Sequence, residues 1–171
     1  MPGFSSEKQS NADYDVVIVG GGLAGLYSIY RLRKLGLTIR AYEAGDGVGG
    51  TWFWNRYPGC RCDVESMEYS YSFDDELQQE WIWPERYGTQ PVILEYINHV
   101  AKRFDLMRDV QLNTRITDAI FCEEQHLWTI TTSSGEKVTA PICIMATGNL
   151  STPRKPDFRG LDDFKGDWYH T

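Results

Sequence analysis

Val16 to Val19 make an unbroken β-branched run inside DVVIVG, residues 15–20, the pattern of a strand covered on both faces. Directly after it, Leu23, Leu26, Tyr27, Tyr30 and Leu35 recur at helical spacing, and Gly36 closes the segment. LTIRAYE, residues 37–43, reads as a second strand, so the three segments form a β-α-β unit whose crossover is expected to be right-handed. From 44 to 90 neither period holds, and a short helix over 73–81 is the one element the pattern offers. A connection that long inside a compact domain is normally functional. A helix is predicted from Pro91, with proline in its first turn and Ile93, Tyr96, Ile97, Val100 and Phe104 on one face. Strand-like runs follow near 110–116, 117–122, 127–132 and 137–146, parted by EEQH and SSGE turns. The expected fold is α/β in three layers: a parallel sheet with helices on one side and an antiparallel β-meander on the other.

Composition narrows the function classes more than the fold. With 171 residues there is room for about one domain and one core. A formal net charge of -7 and a pI near 4.9 repel a phosphate backbone, which argues against nucleic acid as a partner. A mean hydropathy of -0.43 argues against a membrane protein. The segment before the apolar run carries Glu7, Asp13 and Asp15 against Lys8 alone, unlike the basic start of a secretory signal. A cytoplasmic protein is therefore expected. Cys60, Cys62, Cys122 and Cys143 lack a metal-ligand spacing; reduced structural thiols and no bound metal are the expectation.

The chemistry starts at GGGLAG, with Gly20, Gly22 and Gly25 in the G-x-G-x-x-G spacing. The first glycine permits a tight strand-to-helix turn, the second lets a pyrophosphate approach the backbone, and the third allows close helix–strand packing. Alone this spacing is weak. Here it follows a buried strand, opens a helix and has an acid, Glu43, at the end of the next strand, the position that holds a ribose hydroxyl. An acid there disfavours a 2′-phosphate, so FAD or NAD is expected rather than NADP. A second glycine-rich loop, GDGVGG at 45–50, suits a ligand longer than NAD, and ten aromatics between Trp52 and Tyr87 suit the walls of a flavin and substrate cavity. Trp81, Trp83 and Tyr87 are expected to be packing residues.

Gly50-x-Trp52, then Tyr57-Pro58-Gly59, then Asp63 resembles the second signature of the type I Baeyer–Villiger monooxygenases at every fixed position. Ala146-Thr147-Gly148 resembles that family's third small motif, and Phe164-x-Gly166-x-x-x-His170 the front of its linker fingerprint. The resemblance runs from about Asp15 to the last residue. It implies a Rossmann-like FAD-binding domain over 14–152, after a flexible arm at 1–13 and before the start of a linker at 153–171. FAD would be held by Gly20, Gly22, Ala24 and Gly25 at the pyrophosphate and Glu43 at the ribose. Gly50 and Thr51, Trp52, Phe53 and Trp54 would pass the flavin, with Tyr69 beside it, Ile116 against the adenine, and Ala146 and Gly148 in the third motif.

The same resemblance implies that NADPH reduces the flavin, that O2 then adds, and that a ketone leaves as an ester or lactone. Asp63 would hold an active-site arginine that stabilises developing negative charge, a catalytic role. Arg61 and Cys62 would approach the nicotinamide cofactor, although for Arg61 a structural ion pair explains the residue nearly as well. His170 belongs to the linker and to domain movement, while His99 and His126 are expected at the surface. No second G-x-G-x-x-G follows, so the NADPH-binding domain is expected outside this chain, in an enzyme roughly three times longer. Partners would be that missing half or a dimer mate. Three readings stay open: a Baeyer–Villiger fragment, a fragment of a sibling that oxidises nitrogen or sulfur, and a flavin-binding module without turnover.

Overall fold

The computed structural model describes residues 12–169. Val16–Val19 (β1) leads into helix Leu23–Arg33 (α1) and Ile39–Tyr42 (β2). These are followed by the single turn Thr51–Trp54 (α2), the short helix Asp75–Glu80 (α3) and the long helix Gln90–Arg103 (α4). Val110–Gln111 (β3), Ile116–Cys122 (β4), Leu127–Thr132 (β5), Lys137–Ala140 (β6) and Ile142–Met145 (β7) complete the order. Four strands form a wholly parallel sheet in the order β3-β2-β1-β7. The other three form an antiparallel meander, β4-β5-β6.

Alternation along β1 and β2 builds the three layers. Val16, Ile18 and Ala41 face α1 and α4 and pack with Leu26, Ile29, Ile93, Ile97 and Val100. Val17 and Tyr42 point the other way, onto Ile130, Val138 and Ala140 of the meander. Both faces of the parallel sheet are therefore covered, as the unbroken apolar run requires. The three-layer α/β fold is as expected, with two differences in detail. The run 137–146 is two strands: β6 pairs antiparallel with β5 and β7 pairs parallel with β1. Pro141 stands between them, with no N–H to continue the first ladder. Of 110–116, only Val110 and Gln111 join the parallel sheet, extending it beyond β2, while Ile116 already opens β4 of the meander.

Residues 44–90 are not an open loop. They carry α2, a 3-10 turn at Ser66–Tyr69 and α3, and an isolated bridge, Arg61 to Thr89, ties them to the start of α4. Asp74 caps α3 by accepting from the Leu77 N–H at 2.8 Å. Arg103 on α4 lies within salt-bridge reach of Asp74, Glu76 and Glu80, which fastens α3 to α4. Aromatic packing fills the space beneath: Trp81 and Trp83 lie against Tyr96, and Phe73 stacks on Tyr30 with centroids 3.9 Å apart. His99, expected at the surface, is half-buried against Trp81 and paired with Glu80, whereas His126 is exposed in its turn.

Candidate functional site

The carboxyl ends of β1 and β2 meet two glycine turns, one on top of the other. Gly20 has φ +109°, and its N–H donates to the Tyr42 carbonyl at 2.8 Å. A Cβ there would lie 2.4 Å from the Ala146 carbonyl oxygen, so the third motif packs directly on the first. A Cβ on Gly25 would lie 2.0 Å from the Gly20 carbonyl oxygen, which is the close helix–strand packing its position predicts. Gly22 is the N-cap of α1; no side chain caps this helix and its first turn carries no acid. Its first amides, with Ala24 exposed beside them, thus present N–H donors and positive potential to an anion. From the second turn, the Gly49 N–H donates to the Gly21 carbonyl at 3.0 Å. A Cβ on Gly50 would come within 3.1 Å of the Gly22 Cα, so the two loops touch backbone to backbone.

Glu43 sits at the hub of this crossing and is 5% exposed, far from a solvated strand-end charge. One carboxylate oxygen accepts from the Gly21 N–H at 2.6 Å and the other from the Gly45 N–H at 2.8 Å. Two of about four lone-pair positions are thereby used, leaving acceptors for hydroxyl donors. The chain also passes the acid through Thr114, whose N–H donates to the Glu43 carbonyl at 2.8 Å. Ile116 follows two residues later and packs half-buried into the meander-side core.

The 51–54 segment is divided by its helical turn. Trp52 and Phe53 are buried, while Thr51 and Trp54 are exposed. Trp52 meets the edge of Tyr69 at 5.3 Å between centroids. Burial pushes the Tyr69 hydroxyl above the ordinary phenol range, reinforced by the neighbouring Cys62 and Asp63. Cys62 and Asp63 thus lie near enough to Tyr69 for their charge to reach its hydroxyl. Asp63 itself is exposed, and Cys62 is buried with its N–H donating to the Gly88 carbonyl at 3.0 Å. Arg61 is committed elsewhere: its Nη1 donates to Glu85 and to the Tyr87 carbonyl, both at 2.5 Å. The structural ion pair accounts for its head group.

Ala146 is half-buried under the first glycine turn and Gly148 is exposed with φ +71°. Phe164 is exposed, and His170 lies outside the described residues. Gly20, Gly22, Gly25, Glu43, Gly50 and Ala146 are thus one cluster, and Trp52, Cys62, Asp63 and Tyr69 a second, joined through α2. Two participants were not evident in the sequence. Gly49, inside the second glycine loop, makes the bond between the loops. Gln90 is buried, and its Nε2 donates to the Trp52 carbonyl across 38 residues, a contact no local spacing signals. Among the described residues no three His, Cys, Asp or Glu side chains group as metal ligands would. There too, no helix is long and apolar enough to cross a membrane.

Residues 18–78 match the model of a NAD(P)-binding Rossmann-like domain. Over 165 residues, 96% of its length, the chain is 47% identical to a Baeyer–Villiger monooxygenase of Pseudooceanicola batsensis, of which it covers 30%. A phenazine N-monooxygenase of Lysobacter antibioticus is 46% identical over 92% of the chain and is covered to 29%. A solved steroid monooxygenase bound to NADP superposes with a TM-score of 0.82 at 58% identity, over 90% of the chain and 30% of the other. OTEMO in complex with FAD and NADP gives 0.83 at 41% identity over 92% of the chain and 30% of the other. The chain is homologous to the Baeyer–Villiger monooxygenases along nearly all of its length and spans about 30% of theirs.

Proposed function

We propose that this chain is the FAD-binding portion of a Baeyer–Villiger-type monooxygenase, an enzyme that uses NADPH and O2 to convert a ketone to an ester or lactone. The observation that carries the reading is the contact of two glycine turns over a buried acid: Gly22 against Gly50, with Glu43 bridging Gly21 and Gly45 beneath them. One phosphate turn serves a dinucleotide in general. The second loop, carrying the Gly50-x-Trp52 signature, opens beside the first the longer track that FAD needs.

The residues fit that cofactor. The uncapped amides at the start of α1, with Gly20, Gly22, Ala24 and Gly25, would hold the pyrophosphate. Glu43 would accept from a ribose hydroxyl with its unused lone pairs, and the segment near Ile116 would run past the adenine. Gly50, Thr51 and α2 would flank the ring system, with Tyr69, Ala146 and Gly148 nearby. When bound, FAD supplies the ring that passes electrons from NADPH to O2. Asp63, exposed next to Tyr69, would orient an arginine from the rest of the enzyme. Cys62 would line the approach of the nicotinamide, and Arg61 would serve by holding the 61–89 bridge. We assign 14–152 to the FAD-binding domain and 153–171 to the start of a linker. NADPH would bind outside this chain, and four unpaired cysteines suit a reducing compartment such as the cytoplasm.

A second reading rests on the phenazine N-monooxygenase, almost as similar as the ketone-oxidising relative: a nitrogen atom in place of the ketone as oxygen acceptor. Uptake of FAD is the first test of both. The purified chain is expected to bind it and show a visible flavin spectrum; a preparation that stays colourless after FAD is added would sink the assignment. In the assembled enzyme, Asp63→Ala is expected to keep FAD and slow oxygenation by about 10²-fold. Lactone formation at the normal rate would remove the role given to Asp63. Offering that enzyme a cyclic ketone and an aromatic N-heterocycle side by side separates the two substrate classes.

A further inference from the structure

A one-turn helix has almost no internal bonds with which to hold itself, and its last carbonyls need partners from outside. In α2 three side chains meet that need. Asn55 Nδ2 donates to the Thr51 carbonyl at 2.8 Å, and Arg56 Nε to the Phe53 carbonyl at 2.7 Å. Both are near neighbours in sequence and move with the helix. The Trp52 carbonyl is instead met by Gln90, from the first turn of α4.

Gln90 makes a second connection in the same place. Its backbone N–H donates to the Cys60 carbonyl at 2.9 Å. Thr89 bridges Arg61, and the Gly88 carbonyl accepts from the Cys62 N–H. One buried residue, 8% exposed, therefore ties the helix bearing Trp52 to the segment that leads into Asp63. An amide at this depth is costly unless its hydrogen bonds are made, which a purely space-filling residue would avoid.

We propose that Gln90 is a positioning residue: through the Trp52 and Cys60 carbonyls it holds α2 and the Asp63 segment in one fixed relation to each other. This rests on the FAD-binding reading, in which α2 flanks the flavin. Loss of the side-chain donor would free α2 from α4 while leaving the three-layer core intact. The bound flavin would then sit against a loosened wall.

The test compares Gln90→Met, similar in length but without a donor, with wild type and with Thr132→Val. The latter removes the 2.8 Å contact of the buried Thr132 hydroxyl to Ser134 in the meander and controls for general loss of stability. With no ligand added, hydrogen exchange at the amides of 52–55 is expected to quicken at least tenfold in Gln90→Met and to stay unchanged in Thr132→Val. With FAD added, the visible circular dichroism of the flavin is expected to change in Gln90→Met alone, and its Kd to rise about tenfold. Wild-type exchange at 52–55 in Gln90→Met, or equal quickening in both variants, overturns the proposal, as does an unaltered flavin signal with FAD bound. Should Gln90→Met not fold, Gln90→Asn, one methylene too short, takes its place. A wild-type chain that binds no FAD would refute the functional reading, and the exchange result would still judge Gln90.

Discussion

A methyl group on Gly25 would lie 2.0 Å from the Gly20 carbonyl oxygen, a backbone atom that cannot step aside, whereas one on Gly22 would meet the Gly50 backbone no nearer than 3.4 Å. Gly22 has φ -80° and ψ -169°, values that alanine adopts freely. The two glycines of one motif thus separate folding from binding. Gly25→Ala is expected to destabilise by roughly 4 kcal/mol or more, the range reserved for severe steric damage. Gly22→Ala is expected to melt within a few degrees of wild type yet bind FAD at least tenfold more weakly, about 1.4 kcal/mol, because in the proposed site the methyl would occupy the approach of the pyrophosphate. Thermal melts and an FAD titration of both variants check this, and equal FAD affinity in Gly22→Ala would remove Gly22 from the binding turn. The glycines, and Glu43 after them, could be read directly because they fall at the fixed spacings of one β-α-β motif. For Arg61 the ion pair could be read only as one of two roles, and Gln90 gave no signal: their partners, Glu85 and the Trp52 carbonyl, come into reach through the bridge between 61 and 89.

Among the elements, α1 and α4 follow from periodicity because each buries one stripe against one core, and β1 and β2 follow from apolar runs covered on both faces. The 44–90 segment has no period because its elements are single turns held by long-range polar contacts and by aromatic packing. Pro141 shows another limit. Ile142–Met145 continues the apolar pattern of Lys137–Ala140, and only the missing N–H marks the change of sheet. In α3 the two kinds of support can be separated. Asp74 both caps Leu77 N–H and lies 3.5 Å from Arg103. Asp74→Ala is expected to cost about 1 kcal/mol, the usual value of an N-cap. Asp74→Asn keeps the cap and loses only a partly exposed ion pair, expected to cost about 0.5 kcal/mol or less. Urea denaturation of the pair decides: equal losses would mean that the charge, not the cap, holds α3.

For the whole molecule, what joins the two sheets is an interlayer core in which Tyr42 is the largest fully buried side chain, 1% exposed between the parallel sheet and Ile130, Val138 and Ala140. Burial above all, then the nearby Glu136, pushes its hydroxyl from 10.0 up to about 12. The folded state therefore holds this proton more tightly than the unfolded chain does. Its contribution is fully present below pH 10 and is lost as the pH rises towards 12. Two pH units correspond to about 3 kcal/mol, a large share of a marginally stable domain. Lysines and other tyrosines titrate in the same window, so the measurement is a difference. Tyr42→Phe, which keeps the ring and drops the proton, is expected to follow wild type in parallel up to pH 10. Above that it should gain on wild type by roughly 2–3 kcal/mol by pH 12, read from urea unfolding at each pH. Parallel curves across the whole window would mean that Tyr42 ionises as easily folded as unfolded, and that the interlayer core is open to water.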